Sequence, residues 1–247
     1  MKPDIKSGAL EHDDQLIPYQ IQHKRAVTRR IHLRTAPDGS LLVIAPLRMS
    51  KRAIHNTLQE RVIKVAGFLV DARQKLQETP QLRFVHGEQH LFMGENRKLE
   101  IVEITSRGAG VELTQNALRV SSRDCDPSRI SNLLEAWYRS QAAEYFSDRM
   151  RLFAEKASWV NGAKPPIRLR KMKRTWGSCS AQGNITLNTR LMKVPPRCID
   201  YVIAHELCHL REMNHGKAFY ALQDQLYPNW RVARSHLRDK AHVYLAE

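Results

Sequence analysis

The sequence predicts an α+β protein in which a β-rich N-terminal half with one helix is followed by a helix-rich half. Up to about residue 125, short apolar runs alternate with charged residues and are separated by turn residues, as in half-buried strands. From Pro127 onward, apolar residues recur at helical spacing. With 247 residues, of which 42% are hydrophobic, the chain can bury a sizeable core. We therefore expect two regions, 1–125 and 126–247.

The first region is expected to contain a hairpin, one helix and further strands. The turn signal Pro37-Asp38-Gly39 lies between two strand-like runs, Arg29 to Thr35 and Leu41 to Ala45. Ser50 is a candidate N-cap for a helix that runs to about Leu76. Turns that contain glycine or asparagine separate the remaining strand candidates, and no internal repeat is evident. These candidates are Arg83 to Val85, His90 to Met93, Lys98 to Ile104, Val111 to Leu113 and Leu118 to Val120.

The second region is expected to open with a long amphipathic helix from Pro127 to about Lys156. Asn161-Gly162 and Pro165-Pro166 interrupt it, and three strand candidates follow: Ile167 to Lys173, Thr175 to Ser180 and Ile185 to Asn188. Pro195-Pro196 suits the first turn of a helix, where proline is tolerated. Two more helices are predicted at about Gly216 to Leu226 and Ala233 to Leu245.

The charge of the chain is strongly basic and unevenly distributed. Forty Lys and Arg against 25 Asp and Glu give a net charge of +15, and residues 151–200 contain eleven basic residues but only two acids. Such a region attracts nucleic acid, nucleotides or acidic substrates, or it is a solvated basic surface. Both interpretations stay open at this point.

Several classes of protein are disfavoured by composition. No stretch approaches the roughly 18 consecutive apolar residues that cross a membrane. The N-terminus has no apolar signal region, so we expect a cytoplasmic protein. The cysteines contain no CxxC pair, which argues against a zinc ribbon and a disulfide framework. They are Cys125, Cys179, Cys198 and Cys208.

The motif that carries chemistry is His205-Glu206-Leu207-Cys208-His209. Residues four apart lie on the same face of a helix, so both imidazoles can reach one ion. Neutral imidazoles bind zinc, and a catalytic zinc site has three protein ligands and an open position for water. His215 supplies the third ligand, while Glu206 lies where it can accept a proton from that water. This is the helix pattern of zinc metallopeptidases.

The spacing from His209 to His215 equals that of the metzincin pattern, but two departures argue against that family. Glu212 occupies the glycine position of the pattern, and no methionine follows Met213 to form a Met-turn. We expect Asn214 to adopt a left-handed conformation that returns the chain towards the metal.

Further motifs surround the histidines between residues 174 and 220. They are Arg174 to Ser180, Asn184 to Asn188, Leu191, Pro195-Pro196, Asp200-Tyr201-Val202 and Asn214 to Tyr220. Together with the helix motif, they resemble the YgjP-like metallopeptidase family, which is related to the SprT-like and WLM zinc peptidases. The resemblance implies a minimal zincin fold for residues 126–247, with a small twisted sheet packed on the active-site helix. It also implies His205, His209 and His215 as ligands and Glu206 as the catalytic base.

Five residues are candidates for substrate binding: Arg174, Trp176, Ser178, Asn188 and Tyr220. In zincins an edge strand commonly binds an extended peptide by strand addition, and the segment at Trp176 to Ser178 is a candidate for this strand. Ser178 or Asn188 then orients the substrate or donates to a developing oxyanion, and Tyr220, or Tyr201 one turn before His205, is an alternative donor. In the opposing interpretation Trp176 is a core residue and Asn188 satisfies a turn. Arg168, Arg170 and Arg174 recur at period two and form either a basic ribbon or a charged, protected edge.

The sequence therefore favours a zinc-dependent metallohydrolase with one ion per chain, most simply a metallopeptidase acting on a peptide or protein. The same ligands also bind other divalent metals. Two alternatives use the basic 151–200 region: a hydrolase of nucleotides or other phosphorylated substrates, and a nucleic-acid-associated protease of the SprT-like kind. A purely structural zinc is disfavoured, because a closed site needs a fourth ligand and has no use for Glu206.

Overall fold

The computed structural model describes residues 6–27, 29–36, 38–105, 108–160 and 165–246. The chain forms two compact units, one up to Thr79 and one from Pro80, and each unit has its own apolar core. Helices and small mixed sheets occur together, which confirms the α+β class. The boundary that the sequence predicts near residue 125 lies inside the second unit, because the strands before it pack on the helix that begins at Pro127.

The first unit consists of a four-stranded sheet and two helices. The strands are β1 (Lys6–His12), β2 (Gln15–Lys24), β3 (His32–Thr35) and β4 (Leu41–Pro46), and the helices are α1 (Lys51–Gln59) and α2 (Val62–Glu78). The sheet order is β1-β2-β4-β3, with a parallel central pair and antiparallel outer pairs. In the central pair Tyr19 lies opposite Leu41 and Ile21 opposite Val43, and all four side chains are buried.

The first unit differs from the sequence prediction in three places. The hairpin β3–β4 is present, but β1 and β2 were not predicted; Pro37 of its turn lies outside the described residues. The predicted single helix is two helices, because Arg61 has φ −123° and ψ 22° and so leaves the helical conformation. The break allows residues of both helices to reach the core, Ile54 and Leu58 from α1 and Val65 and Leu69 from α2.

The second unit contains the remaining elements. The strands are β5 (Gln89–Phe92), β6 (Glu95–Glu103), β7 (Gly110–Leu113), β8 (Ala117–Ser122), β9 (Ile167–Arg170), β10 (Gly177–Cys179) and β11 (Ile185–Asn188). The helices are α3 (Pro127–Lys156), α4 (Pro196–His209), α5 (Lys217–Leu226) and α6 (Trp230–Tyr244), with short 3-10 turns at Ser158–Val160 and Thr189–Lys193. Within the described residues, no helix is both long enough and apolar enough to cross a membrane.

Two predicted strands are corrected in the second unit. The segment Arg83 to Val85 is not a strand, because Phe84 has φ 55° and the backbone N–H groups of Arg83 and Phe84 donate to the Glu88 carboxylate. Strand β9 ends at Arg170, so Arg174 lies beyond the strand and does not share its face. The predicted interruption at Asn161-Gly162 lies outside the described residues.

The two four-stranded sheets share one topology, although the sequence shows no repeat. The second sheet has the order β5-β6-β8-β7, with the same parallel central pair and antiparallel outer pairs as the first. Each opens with a hairpin whose two turn residues have positive φ, Asp13 and Asp14 in one and Met93 and Gly94 in the other. In each, four residues connect the last strand to a helix with a side-chain N-cap, Ser50 or Asp126. The backbone therefore repeats where the side chains do not.

A small third sheet and three helices surround α4. The sheet order is β10-β11-β9, which leaves β10 as an edge strand paired only with β11 among the described strands. Helix α4 packs against α3, α5, α6 and β10. Its buried side chains include Ile199, Ile203 and Leu207, so the helix is anchored on several sides. This packing fixes the helix that carries the predicted metal ligands.

Candidate active site

Helix α4 and the turn after it bring the three predicted histidines together. His205 and His209 are one turn apart, and their ring centroids are 4.8 Å apart. His215 returns to the same point, with its Nε2 3.0 Å from Nε2 of His205. The return does not use a left-handed Asn214, as the sequence suggested; instead the N–H of Gly216 donates to the carbonyl of Asn214 in a tight turn around His215.

The geometry of this cluster fits a metal ion. Each histidine offers a ring nitrogen, and these three nitrogens lie within 4.8 Å of one another. Nitrogen ligands around a tetrahedral zinc are about 3.3 Å apart, because each lies about 2.0–2.1 Å from the ion. Burial lowers the pKa of His205 to about 3 and also lowers the pKa of His215, so both rings are in the neutral form that binds metals.

The orientation of the histidine rings is fixed by a hydrogen bond and by contacts with Phe219. Nδ1 of His209 donates to the carbonyl of Glu212 at 3.0 Å, which leaves Nε2 for a metal. The ring of Phe219 lies against all three imidazoles, with centroid distances of 4.9, 4.7 and 4.6 Å. The amide of Gln223 is fully buried and interacts with His205, although neither of its polar atoms has a hydrogen bond of normal geometry among the described residues.

Glu206 lies in a confined position beside the ligands. It is 4% exposed, and its Oε2 is buried without a hydrogen-bond partner among the described residues. Burial raises the pKa of this carboxyl to about 8. The backbone of β10 passes directly over it: a Cβ atom at Gly177 would lie 2.5 Å from Oε1 of Glu206. A buried carboxylate oxygen normally has a hydrogen-bond partner, and the described residues supply none to this one.

The predicted substrate-binding residues differ in their surroundings. Ser178 is exposed on the edge strand β10, and Arg174 is exposed in the loop before it. Trp176 is half-buried, with its ring 6.5 Å from that of Tyr244. Tyr220 lies beside the cluster, 6.4 Å from the ring of His215. Arg174, Ser178 and Tyr220 are therefore accessible to a ligand.

Asn188 has no polar atom left for a substrate. The side chain is fully buried; its Oδ1 accepts from the N–H groups of Met172 and Arg190, and its Nδ2 donates to the carbonyls of Met172 and Thr175. These bonds hold the loop that leads into β10. The interpretation of Asn188 as a structural residue is the one that its contacts support.

Three aromatic side chains, which we call the aromatic shelf, border the histidines on the side of α6. The ring of Trp230 stacks on Tyr201 at 6.3 Å and on Tyr220 at 5.4 Å, with interplanar angles of 16° and 13°. Tyr201 in turn lies 5.7 Å from the ring of His205. The sequence prediction missed Trp230 and the nearby Arg234, although their four-residue spacing on α6 placed them on one helix face.

Comparison with known proteins identifies the family. No curated protein matches the chain. Among solved structures, the chain is similar to the crystal structure of the metallopeptidase zymogen abylysin of Pyrococcus abyssi, at 19% identity and a TM-score of 0.36, over 40% of this chain and 96% of that one. The model of the YgjP-like metallopeptidase domain matches residues 29–240. Because that match spans most of the chain, the protein belongs to the YgjP-like metallopeptidase family.

Proposed function

We propose that this metallopeptidase holds one zinc ion on His205, His209 and His215 and uses Glu206 as its general base. The observation that carries the proposal is the convergence of three imidazole nitrogens beside a buried carboxyl oxygen that has no partner among the described residues. When bound, zinc would polarise the scissile carbonyl and lower the pKa of water. Family membership already makes the protein a metal-dependent hydrolase.

Within this site, Glu206 would accept a proton from the attacking water as a carboxylate, the form that a zinc ion held by the histidines would favour, and would later deliver the proton to the leaving amine. The proposal is supported by the close approach of Gly177, because a Cβ atom there would occupy the space that the Glu206 carboxyl needs. The hydroxyl of Tyr201 is a candidate hydrogen-bond donor to the substrate, because burial raises its pKa to about 12 and keeps it protonated. An oxyanion that forms at the scissile carbonyl would accept from such a donor.

We infer that the substrate is an extended peptide segment that pairs with the free edge of β10. An unpaired strand edge presents N–H and C=O groups to a peptide, and Ser178 is exposed on this strand. Arg174 and Trp176 precede this strand in the chain, and Tyr220 lies beside His215, so we propose these three residues as neighbours of the bound peptide. We keep the cytoplasm as the proposed location.

In the described part of the chain, no specific observation favours either alternative function over peptide hydrolysis. Arg168 and Arg170 are exposed on the edge strand β9, whereas Lys171 forms an ion pair with Glu135. These contacts suit a solvated basic edge as well as a phosphate-binding surface. Hydrolysis of phosphorylated substrates and action on nucleic-acid-bound proteins therefore stay secondary proposals.

The test is a screen of zinc-loaded protein against peptides, unfolded proteins and nucleotides, with Glu206→Gln as the blank. We expect peptide hydrolysis that falls by about 10³-fold in Glu206→Gln, since a general base contributes about 10²–10⁴-fold. Zinc content, measured by metal analysis of the dialysed proteins, should be equal in the two. Full activity of the variant would rule out the proposed base, and nucleotide hydrolysis alone would favour the alternative.

A further inference from the structure

Arg234 stands out among the charged residues near the proposed active site. Its guanidinium carbon lies 5.7 Å from the ring centroid of Trp230, the central ring of the aromatic shelf. No carboxylate of the described residues forms an ion pair with Arg234, and its side chain is exposed. Arg231 also lies over Trp230, but both its terminal nitrogens bond to the Asp224 carboxylate. Of these two cations over the shelf, Arg234 is the one available to a ligand.

The aromatic shelf provides a fixed surface for the Arg234 guanidinium. Trp230 is 5% exposed, and its indole N–H donates to Asp224 at 2.7 Å, so the ring cannot rotate freely. Tyr201 and Tyr220 both stack on Trp230, and their rings lie next to His205 and His215 respectively. Neither tyrosine hydroxyl has a hydrogen bond to another described residue. Arg234 and two hydroxyl donors therefore border the proposed metal ligands together.

Arg234 is connected to the histidine cluster through the shelf. Its guanidinium lies over Trp230, and the two tyrosines that stack on Trp230 lie 5.7 Å from the ring of His205 and 6.4 Å from the ring of His215. A cation in this position also opposes the binding of a divalent metal, because like charges repel. An anionic group that lies between Arg234 and the metal would be attracted by both and would offset this repulsion.

We infer that Arg234, with the hydroxyls of Tyr201 and Tyr220, forms a subsite for a carboxylate of the substrate next to the scissile bond. The inference rests on the proposed peptidase function and adds a substrate class to it. A guanidinium and neutral hydroxyl donors match one carboxylate, and charge-assisted hydrogen bonds of this kind are the stronger ones. In a peptide, the carboxylate belongs either to an Asp or Glu side chain or to the free C-terminus.

The experiment compares peptides that differ in one carboxylate. A peptide cleaved in the hydrolysis screen is prepared with Glu or Gln at each position flanking the scissile bond, and each version with a free or an amidated C-terminus. We expect a higher kcat/KM for one acidic version. A preference for Glu at one position assigns the subsite to a side chain, and a preference that disappears on amidation assigns it to the C-terminus.

Variants of α6 then connect the preference to Arg234. Arg234→Gln should lower kcat/KM of the preferred peptide by about tenfold relative to the neutral peptide, mainly through KM, and so remove most of the preference. Arg234→Glu should shift the preference towards a peptide with Lys at that position. Arg238→Gln is the matched control, because it removes the same charge one turn further along α6 from a side chain that is 74% exposed; it should retain the wild-type preference.

Two results would overturn the subsite. One is equal kcat/KM for acidic and neutral peptides in the wild-type protein, and the other is an acidic preference that persists in Arg234→Gln. If no peptide is cleaved, the proposed function fails, yet the subsite is still decided by fluorescence anisotropy of labelled peptides on the zinc-loaded Glu206→Gln protein. The subsite stands only if this protein binds the Glu peptide more tightly than the Gln peptide and Arg234→Gln removes the difference.

Discussion

At the scale of single residues, the close approach of Gly177 to Glu206 is a distinctive feature of the site. The glycine has no special backbone angle that requires it; what requires it is space, because a Cβ atom would lie within 2.9 Å of the carbons Cγ and Cδ of Glu206. Strand β10 can approach the Glu206 carboxyl this closely only because residue 177 has no side chain. If Glu206 is the base and β10 binds the peptide, as proposed, this approach sets the distance between the two.

Gly177→Ala should displace either the Glu206 carboxyl or β10, and so reduce turnover without removing the metal ligands. We expect a loss of kcat of about 10²-fold, as a shift of about 1 Å in a catalytic group commonly produces. Stopped-flow or steady-state kinetics with a peptide substrate measure the loss of kcat, and a zinc titration checks that the variant still binds the metal. Gly110→Ala is the control, since no atom lies within 4 Å of the added Cβ. Wild-type kcat in Gly177→Ala would contradict the contact.

At the scale of elements, the loop between β9 and β10 depends on one amide. Residues 171–176 contain no regular structure, and three of the four hydrogen bonds of the Asn188 side chain join them to the end of β11. Polar backbone groups that are buried without partners are costly, so this side chain substitutes for the ladder that a longer strand would provide.

Asn188→Ala should therefore destabilise the protein by about 3 kcal/mol, because it leaves several buried backbone groups unpaired. Urea unfolding monitored by tryptophan fluorescence measures the change in the free energy of unfolding. Asn116→Ala is a suitable comparison, since Asn116 is exposed and its side chain has no hydrogen bond among the described residues; that variant should remain within about 0.5 kcal/mol of wild type. Similar stability of the two variants would argue against the structural role.

In helix α2, a substitution is expected to increase the stability of the protein. Gly67 lies in its interior, is exposed, and would meet no atom within 4 Å if a Cβ were added. Because alanine has a higher helix propensity than glycine, Gly67→Ala should stabilise the first unit by about 0.5–1 kcal/mol. Thermal unfolding monitored by far-UV circular dichroism tests this, and a lower midpoint than wild type would refute it.

Elements with a strong apolar period were predictable from the sequence, and those with a weak one were not. Helix α3 begins at the predicted Pro127, and α4 begins in the predicted double proline. Strands β1 and β2 were missed because their buried residues, Leu10, Tyr19 and Ile21, lie among polar side chains. The interruption at Arg61 was invisible because apolar residues continue at helical spacing on both sides of it.

At the scale of the whole molecule, the two units can be observed separately. All four tryptophans, Trp137, Trp159, Trp176 and Trp230, belong to the second unit, as do the three histidines of the proposed metal site. Tryptophan fluorescence therefore reports unfolding of the unit that would bind zinc. Far-UV circular dichroism reports both units.

Zinc in excess should raise the thermal midpoint that tryptophan fluorescence reports. A ligand that binds only the folded state stabilises it by about 4 kcal/mol at a concentration of a thousand times its Kd. Chelator-treated protein supplies the reference, and His215→Ala, which removes the most exposed of the three ligands, should lose most of the shift. An unchanged midpoint on addition of zinc to the wild-type protein would contradict the metal site.

The sequence predicted that the three histidines lie together, because two of them are one helical turn apart and the third follows six residues later; their binding of a metal stays a prediction. The family resemblance was confirmed by the match over residues 29–240. The aromatic shelf was not predictable, because Tyr201 and Trp230 come from different helices and meet only through the packing of α4 on α6. Asn188 was ambiguous for the same reason, since its partners lie up to sixteen residues away.

The repeated sheet topology gives the same kind of hairpin two different surroundings. In the second unit the turn residues Met93 and Gly94 donate their N–H groups to the carbonyls of Met192 and Lys193, and a Cβ at Gly94 would lie 2.7 Å from Pro195. That turn is thus wedged against the start of the histidine helix, whereas its counterpart Asp13-Asp14 is exposed and acidic. The same backbone turn thus supports the start of helix α4 in the second unit and faces solvent in the first. The two residues of the turn, Met93-Gly94 or Asp13-Asp14, account for the difference.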